Sequence, residues 1–540
     1  MRKLIISITA IVWFGVNHGF SQYGEKIMYS NKQNITYFDG ENKRGWRIVP
    51  SIKPDILTIF SDTEKSRRVR FISDIDSLEF NVEINKPIYF SIIFNQDTAY
   101  TVIDFKNKLP NTMSDTDKLY ALSLFWSEAK YNFAFIDKLK FDIDSLYKSY
   151  IPKVLTTEND LEFYNVLQLF AGNLKDGHTN IYFNDFGKYT DYIPMGVRYF
   201  DDELYIISTC ENLVEKFPIG SKILEINGMP THYYMKKYIE PYIESDFKPT
   251  LRYLSSSKLL SSSLSSNTLT IKYQTHDNSI MINTMPRDGK KRSEITIGYK
   301  PKYWEEPVEI SWSDNNIAIL SFNTFNDLNV QLIPLFDQIK DTLYASNGIV
   351  IDLRNNRGGN TEVAWHLIKH IIKEPYFLNF AWQTRINDGI KRANGNWIKE
   401  YEDFYKNTAY RTEPADTVFI EDSIRRFNVP IVVLFSTMTV SAAEDFLIIL
   451  YEHPNRPLFV GQPSFGSTGS PFIVWGFPDN GFARICTRRV LFPYSMKPYT
   501  EGIQPDILVN YSFEEFMSGI DKDLEVAIKE LEKQIKIKKK

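Results

Sequence analysis

Residues 431–450 read IVVLFSTMTVSAAEDFLIIL. The apolar run Ile431–Phe435 predicts a buried strand, and Ser436–Thr439 a polar turn. Ser441-Ala442-Ala443-Glu444 then leads into an apolar helical pattern. Ser441 therefore stands at a strand–turn–helix junction, where free N–H groups favour developing negative charge. That position suits a nucleophile beside an oxyanion. Ser-x-x-Glu before an apolar run is also the capping-box pattern, in which the serine only caps the helix. Both readings stay open on this stretch alone.

Working outward, residues 305–512 predict an α/β core. Asn316–Phe322 and Gly348–Leu353 read as strands, with an amphipathic helix over Val330–Tyr344 between them. The second strand breaks at Arg354-Asn-Asn-Arg-Gly-Gly359, and a helix follows over Thr361–Ile372. Paired glycines between strand and helix let the backbone approach a ligand closely; a plain turn fits as well. His366 and His370 lie four apart on that helix, but no third ligand is evident, so no metal and no cofactor is expected. Further on, Val460–Gly469 is glycine- and serine-rich, and strands are expected over 472–476 and 481–491. Glu501 lies in the turn Tyr499–Ile507, where a solvated carboxylate is the usual outcome. The tail, Asp521–Lys540, is an amphipathic helix.

Before the core, residues 112–175 carry a helical period that ends near Gly172-Asn173. Asp176-Gly177 is a turn and Thr179–Phe183 a strand, so His178 is held on a tight turn. Residues 22–108 are β-rich and predict a small sandwich. Within 190–290, Gly220-Ser-Lys-Ile-Leu-Glu-Ile-Asn-Gly228 resembles the PDZ module. The resemblance makes Met195, Gly196 and Val197 the loop that takes a peptide end, with strand addition on a sheet edge.

The chain has 540 residues, more than one ordinary core holds, with 43% hydrophobic and 24% charged residues. A net charge of −4 gives a nucleic-acid partner no electrostatic support. Arg2-Lys3, the apolar run Leu4–Val16 and Gly19-Phe20-Ser21 read as a secretory signal cleaved after Ser21. No later segment predicts a transmembrane helix. Cys210 and Cys486 are expected as buried thiols rather than a disulfide framework.

Asp176-Gly-His-Thr179, Asp352–Gly359, Ser441–Glu444, Gly461–Gly466 and Gly502-Ile-Gln-Pro-Asp506 occur in one order. That ordered set resembles the S41 serine peptidases, the tail-specific, C-terminal-processing and tricorn-core group, over roughly residues 112–510. The resemblance implies a ClpP/crotonase-like catalytic core and a peptide or protein substrate. It makes Ser441 the nucleophile, with Ala442 and Gly358 or Gly359 as oxyanion-hole donors. The C-terminal-processing branch has a lysine where this chain has Ser467, and a threonine where it has Ser464. The tricorn-like branch uses a histidine and a glutamate, which match His178 as base and Glu501 as its orienter. That branch also carries a serine before the histidine; here the residue is Gly177. Activity is then expected to fall below about pH 6, as an ordinary imidazole protonates.

The expected organisation is α+β and multidomain: a signal at 1–21, a β domain at 22–108 and a helical part carrying His178 at 109–186. A PDZ-like domain at 187–300, the α/β core at 301–515 and a terminal helix at 516–540 complete it. The expected protein is a secreted or periplasmic serine peptidase. The alternative is a non-catalytic peptide binder on the same fold, and a weaker one an envelope scaffold. The discriminator is geometric: His178 and Ser441, 263 positions apart, must meet within hydrogen-bond reach.

Overall fold

The computed structural model describes residues 113–183, 192–261, 268–286, 295–299, 306–328 and 330–538, and the backbone of the strands between 33 and 103. The expected signal segment lies outside the described residues. The chain divides into two compact units, residues 1–112 and 113–540. In the first, Gln33–Gly40, Lys43–Pro50 and Leu78–Asn81 form one antiparallel sheet. Arg67–Val69, Ile56–Ser61, Ile88–Phe94 and Asp97–Ile103 form a second.

The second unit is built on a six-stranded sheet in the order Val308–Trp312, Ile317–Phe322, Gly348–Asp352, Ile431–Phe435, Leu458–Gly461, Ile507–Leu508. All neighbours are parallel except the first pair. Its central strands Ile317–Phe322, Gly348–Asp352 and Ile431–Phe435 are buried at every position and mostly apolar, because both faces are covered. On one face Ala318, Leu320, Ile351, Val433 and Phe435 pack under the helices Leu332–Leu343, Thr361–Ile371 and Ala442–Tyr451. On the other, Ile317, Ile319, Val350, Val432 and Leu434 meet Ala527 and Leu531 of the tail helix Lys522–Lys538. The tail is thus a core element of this unit. Arg354, from the glycine-turn motif, anchors its start by ion pairs to Asp352, Asp521 and Asp523.

The helices Asp115–Asn132, Ile143–Leu155 and Asp160–Gly172 bury Phe125, Phe163, Leu167 and Phe170 against a small sheet. That sheet joins Pro471–Trp475, Phe482–Cys486 and Asn180–Tyr182. The pairing of Asn180 with Arg484 and Ile181 with Ala483 fastens the histidine segment to the end of the core. This contact closes the long sequence gap between His178 and Ser441.

Residues 192–299 form a seven-stranded sheet with the helix Lys248–Leu259 beside it. That helix includes Ser255, Ser256 and Ser257 and ends in a turn at Leu260. Met195 and Val197, expected to line a peptide site, are 1% and 8% exposed and pack into this module's core. Gly196 pairs with Ser208 of the neighbouring strand, and the Met195 N–H is used by Ile193 O at 2.7 Å. The side chains of Met195 and Val197 therefore belong to the core, as burial favours, and any peptide contact of this stretch falls to its backbone. Cys210 and Cys486 are both buried thiols, not joined in a disulfide.

Candidate active site

The strand Ile431–Phe435 delivers the chain into a turn held from both sides. The Thr439 hydroxyl donates to Leu353 O at 2.7 Å and the Ser436 hydroxyl to Arg354 O at 2.6 Å. Ser441 follows with φ +62° and ψ −129°, a region non-glycine residues seldom occupy. Holding it there costs about 1–3 kcal/mol, a strain that clusters at functional sites. Its side chain caps nothing. The capping-box reading fails for Glu444 too, whose carboxylate turns away from the helix start.

The Ser441 Oγ lies 3.1 Å from His178 Nε2. The other ring nitrogen, Nδ1, lies 2.6 Å from Ser467 Oγ. Glu501, expected at that nitrogen, is exposed and makes no hydrogen bond to the imidazole. The orienting group beside His178 is therefore a hydroxyl, and the Glu501 assignment is corrected. Gly177 explains the exchange. A methyl group there would stand 2.8 Å from Phe465 Cε1 and 3.2 Å from Ser467 Oγ. With no side chain at 177, Ser467 reaches the imidazole edge.

Two buried carboxyls stand behind this contact. Glu444 accepts from the Ser464 hydroxyl at 2.6 Å, Gly466 N–H at 2.7 Å, Ser467 N–H at 2.9 Å and the Tyr499 hydroxyl. It thereby fixes the loop that carries Ser467. Burial pushes its pKa up to about 7, against the pull of those four bonds. Asp176 accepts from Thr179 Oγ1 at 2.6 Å. Burial raises it to about 6, while Thr179, the Arg484 charge, the His178 N–H and the Ser467 hydroxyl hold it down. The next carboxyl, Asp445, takes the hydroxyls of Thr361 at 2.6 Å and Thr468 at 2.8 Å, tying two cleft walls to the serine helix.

Burial, then the charges of Arg484 and Arg488, lower His178 to about 3. This overturns the expectation of an ordinary imidazole titrating near pH 6. The folded protein binds fewer protons at His178 than the unfolded chain, whose histidine keeps its 6.5. Its contribution to stability is complete above pH 6.5 and is lost as pH falls toward 3. We expect the ¹⁵N resonances of His178 to report a neutral ring, protonated on Nδ1, through about pH 5. A titration centred near 6.5 would contradict this burial.

The glycine turn supplies the opposite wall. Asn356, fully buried, donates to Phe322 O at 3.0 Å and accepts from Gly358 N–H at 2.9 Å. The Gly358 donor is thus already used, and of the two expected glycines only Gly359 remains. Among the described residues, the N–H groups of Gly359 and Ala442 have no hydrogen-bond partner. Gly358 has φ +84°, and a Cβ on it would lie 2.6 Å from Ser441 Cβ. Only glycine lets this turn press on the serine. Ser441, His178, Gly359 and Ala442 line one cleft of about 730 Å³.

His366 and His370 gain a neighbour that the sequence did not offer, Asp337, with ligand atoms within 4.8 Å of one another. The Asp337 Oδ1 accepts from His366 at 2.9 Å and from the Lys340 ammonium at 2.6 Å. A cation on that oxygen already balances the carboxylate. This cluster lies between helices 332–343 and 361–371, outside the cleft.

The cleft thus joins a strained serine, an imidazole in contact with it and two N–H donors. Residues 316–509 match the sequence model of peptidase family S41. The match covers that segment, from the strand Ile317–Phe322 to the strand Ile507–Leu508. Among solved structures, mature CPAF is similar over 78% of this chain and 98% of its own, at 15% identity and TM-score 0.59. CPAF complexed with lactacystin aligns over the same shares at 14% identity and TM-score 0.57. The photosystem II D1 C-terminal processing protease aligns over 75% of this chain and 98% of its own, at 12% identity and TM-score 0.39. At these identities the likeness to CPAF speaks for the fold. No curated protein matches the chain in sequence.

Sequence reasoning missed Ser467, Asn356 and Glu444 as parts of the site. For Ser467 a signal existed: it stands where one S41 branch carries its base.

Proposed function

We propose that this chain is a serine peptidase of family S41 in which Ser441 is the nucleophile and His178 the base. The observation that carries the reading is the 3.1 Å contact between Ser441 Oγ and His178 Nε2. Oγ attacks the scissile carbonyl carbon and its proton passes to Nε2. The oxyanion accepts from the N–H groups of Gly359 and Ala442. The C–N bond breaks, and the departing amine takes the proton from Nε2. Water then attacks the acyl carbon and gives a proton to Nε2, which passes it to Oγ as the ester C–O bond breaks and the acid is released. Throughout, Ser467 keeps Nδ1 as the donor edge, so that Nε2 presents its lone pair. A pure binding protein on this fold has no need of a strained serine against a neutral imidazole.

The test is reaction with a serine-reactive phosphonate, followed by peptide mapping. Labelling at Ser441 that is absent from Ser441→Ala supports the reading; an unreactive Ser441 beside a folded protein refutes it.

The PDZ-like reading of residues 187–300 becomes strand addition by backbone alone. Among the described residues the strand Gly196–Phe200 pairs on one side only, with Glu203–Thr209, and the helix Lys248–Leu259 accompanies it. Thr250 of that helix donates to Phe465 O at 2.5 Å, beside the loop of Ser467. Extended peptides are expected to show a KM about tenfold below that of short ones with the same scissile bond. Equal KM values would remove the role.

Export rests on Arg2-Lys3 and Leu4–Val16. A mature N-terminus at Gln22 in the envelope or medium would bear this out, and an intact Met1 there would not. No helix of the described residues is long and apolar enough to cross a membrane.

A further inference from the structure

Two arginines line the cleft, and they differ in what they already hold. Arg484 is committed. Its Nε donates to Asn180 Oδ1 at 2.9 Å and its Nη2 to Gly177 O at 3.3 Å, so it braces the histidine turn. Arg488 is not. Its guanidinium lies 4.8 Å from the Phe380 ring centroid, and its Nε is buried without a hydrogen-bond partner. The nearby carboxylate of Asp445 is occupied on both oxygens by Thr361 and Thr468. A buried donor left unmade costs about 1–3 kcal/mol, a cost recovered when a partner arrives.

The backbone fixes where that partner must sit. Arg488 pairs with Thr384 at the start of the strand Arg488–Leu491, in the same cleft as Ser441 and the free Gly359 and Ala442 donors. Trp365, Phe380 and Trp382 supply an aromatic wall there. A planar guanidinium resting on a ring, with its fork free, matches a carboxylate in two parallel hydrogen bonds.

We infer that Arg488 is the specificity-determining residue of the cleft and that it binds a substrate carboxylate close to the scissile bond. This rests on the serine-peptidase reading above. The carboxylate comes either from an Asp or Glu side chain or from the free C-terminus of a substrate cut near its end. A peptide lacking it leaves the half-buried guanidinium without a carboxylate in the cleft, so discrimination against the neutral analogue is expected.

The experiment has two arms on the full chain. In the first, a peptide library is digested by the wild type, Arg488→Ala and Arg488→Glu, and the cut sites are read by mass spectrometry. Enrichment of Asp and Glu at one position identifies a side-chain source. Cuts at a fixed short distance from free C-termini, lost on amidation, identify the other. In either case the acid-to-amide ratio of kcat/KM should fall about 100-fold in Arg488→Ala. Arg488→Glu should move the preference toward Lys and Arg. In the second arm, Ser441→Ala with and without Arg488→Ala is titrated with matched acid and amide peptides. Wild-type cleavage without any carboxylate preference, or a preference that survives Arg488→Ala, overturns the inference and leaves the peptidase standing. No cleavage, but acid-selective binding that needs Arg488, overturns the peptidase and leaves the carboxylate site. Absence of both overturns both.

Discussion

Ser441→Ala should lower kcat by ~10⁴-fold or more, and His178→Ala by about as much, because a serine hydroxyl is a weak nucleophile without its base. The two losses should not add. If the residues act as one device, the double variant is no slower than either single one. Peptide hydrolysis measured for the three variants against the wild type decides it. A His178→Ala enzyme with near-normal turnover would show that the 3.1 Å contact is incidental. Folding should survive both changes. Ser441→Ala removes one hydroxyl from a residue that caps nothing, and its strained backbone is unaltered in kind. His178→Ala opens a small cavity but also removes a buried imidazole that must stay neutral. Loss of activity with an unchanged melting temperature is therefore the expected pattern for Ser441→Ala.

The parts of this site that were legible in the sequence are those set by local pattern. Ile431–Phe435 reads as a strand because each residue is apolar, and each is apolar because the sheet is covered on both faces. The strand–turn–helix junction at Ser441 follows from the change of period. His178 was legible only through the ordered motifs, since nothing local distinguishes a catalytic turn histidine from a solvated one. What was illegible depends on which distant groups converge. Ser441-x-x-Glu444 matches a local capping pattern, yet three loop donors and Tyr499 compete for the glutamate and win. Asp337 could not be joined to His366 and His370 without knowing that two helices pack together. The stretch from Tyr376 to Phe419 folds into strands of three to five residues and short helices, too brief for any period to show. For Met195 and Val197 the motif said nothing of where the side chains go, and their hydrophobicity placed them in the core.

Ser467→Ala should cost about 10²–10³-fold in kcat, while Glu501→Gln should stay within about threefold of the wild type. The difference separates the orienter that the fold provides from the one that motif matching proposed. Ser467 Oγ holds Nδ1 at 2.6 Å, and its own N–H is held by Glu444 at 2.9 Å. The hydroxyl is thus positioned by its backbone as well as its rotamer. Removing it leaves Nδ1 facing an apolar methyl in a site only 6% exposed at His178. The ring then loses the acceptor that keeps the proton on Nδ1, and the tautomer with the proton on Nε2 cannot take one from Ser441. The signature is in kcat, with KM little changed, because no substrate atom is lost. Ser467→Thr keeps a hydroxyl and should recover part of the rate, which a purely structural role for Ser467 would not predict. Glu501, exposed and without a bond to the imidazole, has no such lever. Should Glu501→Gln fall as far as Ser467→Ala, the closed enzyme must bring that carboxylate inward, and the hydroxyl would then be a link to it rather than the end of the chain.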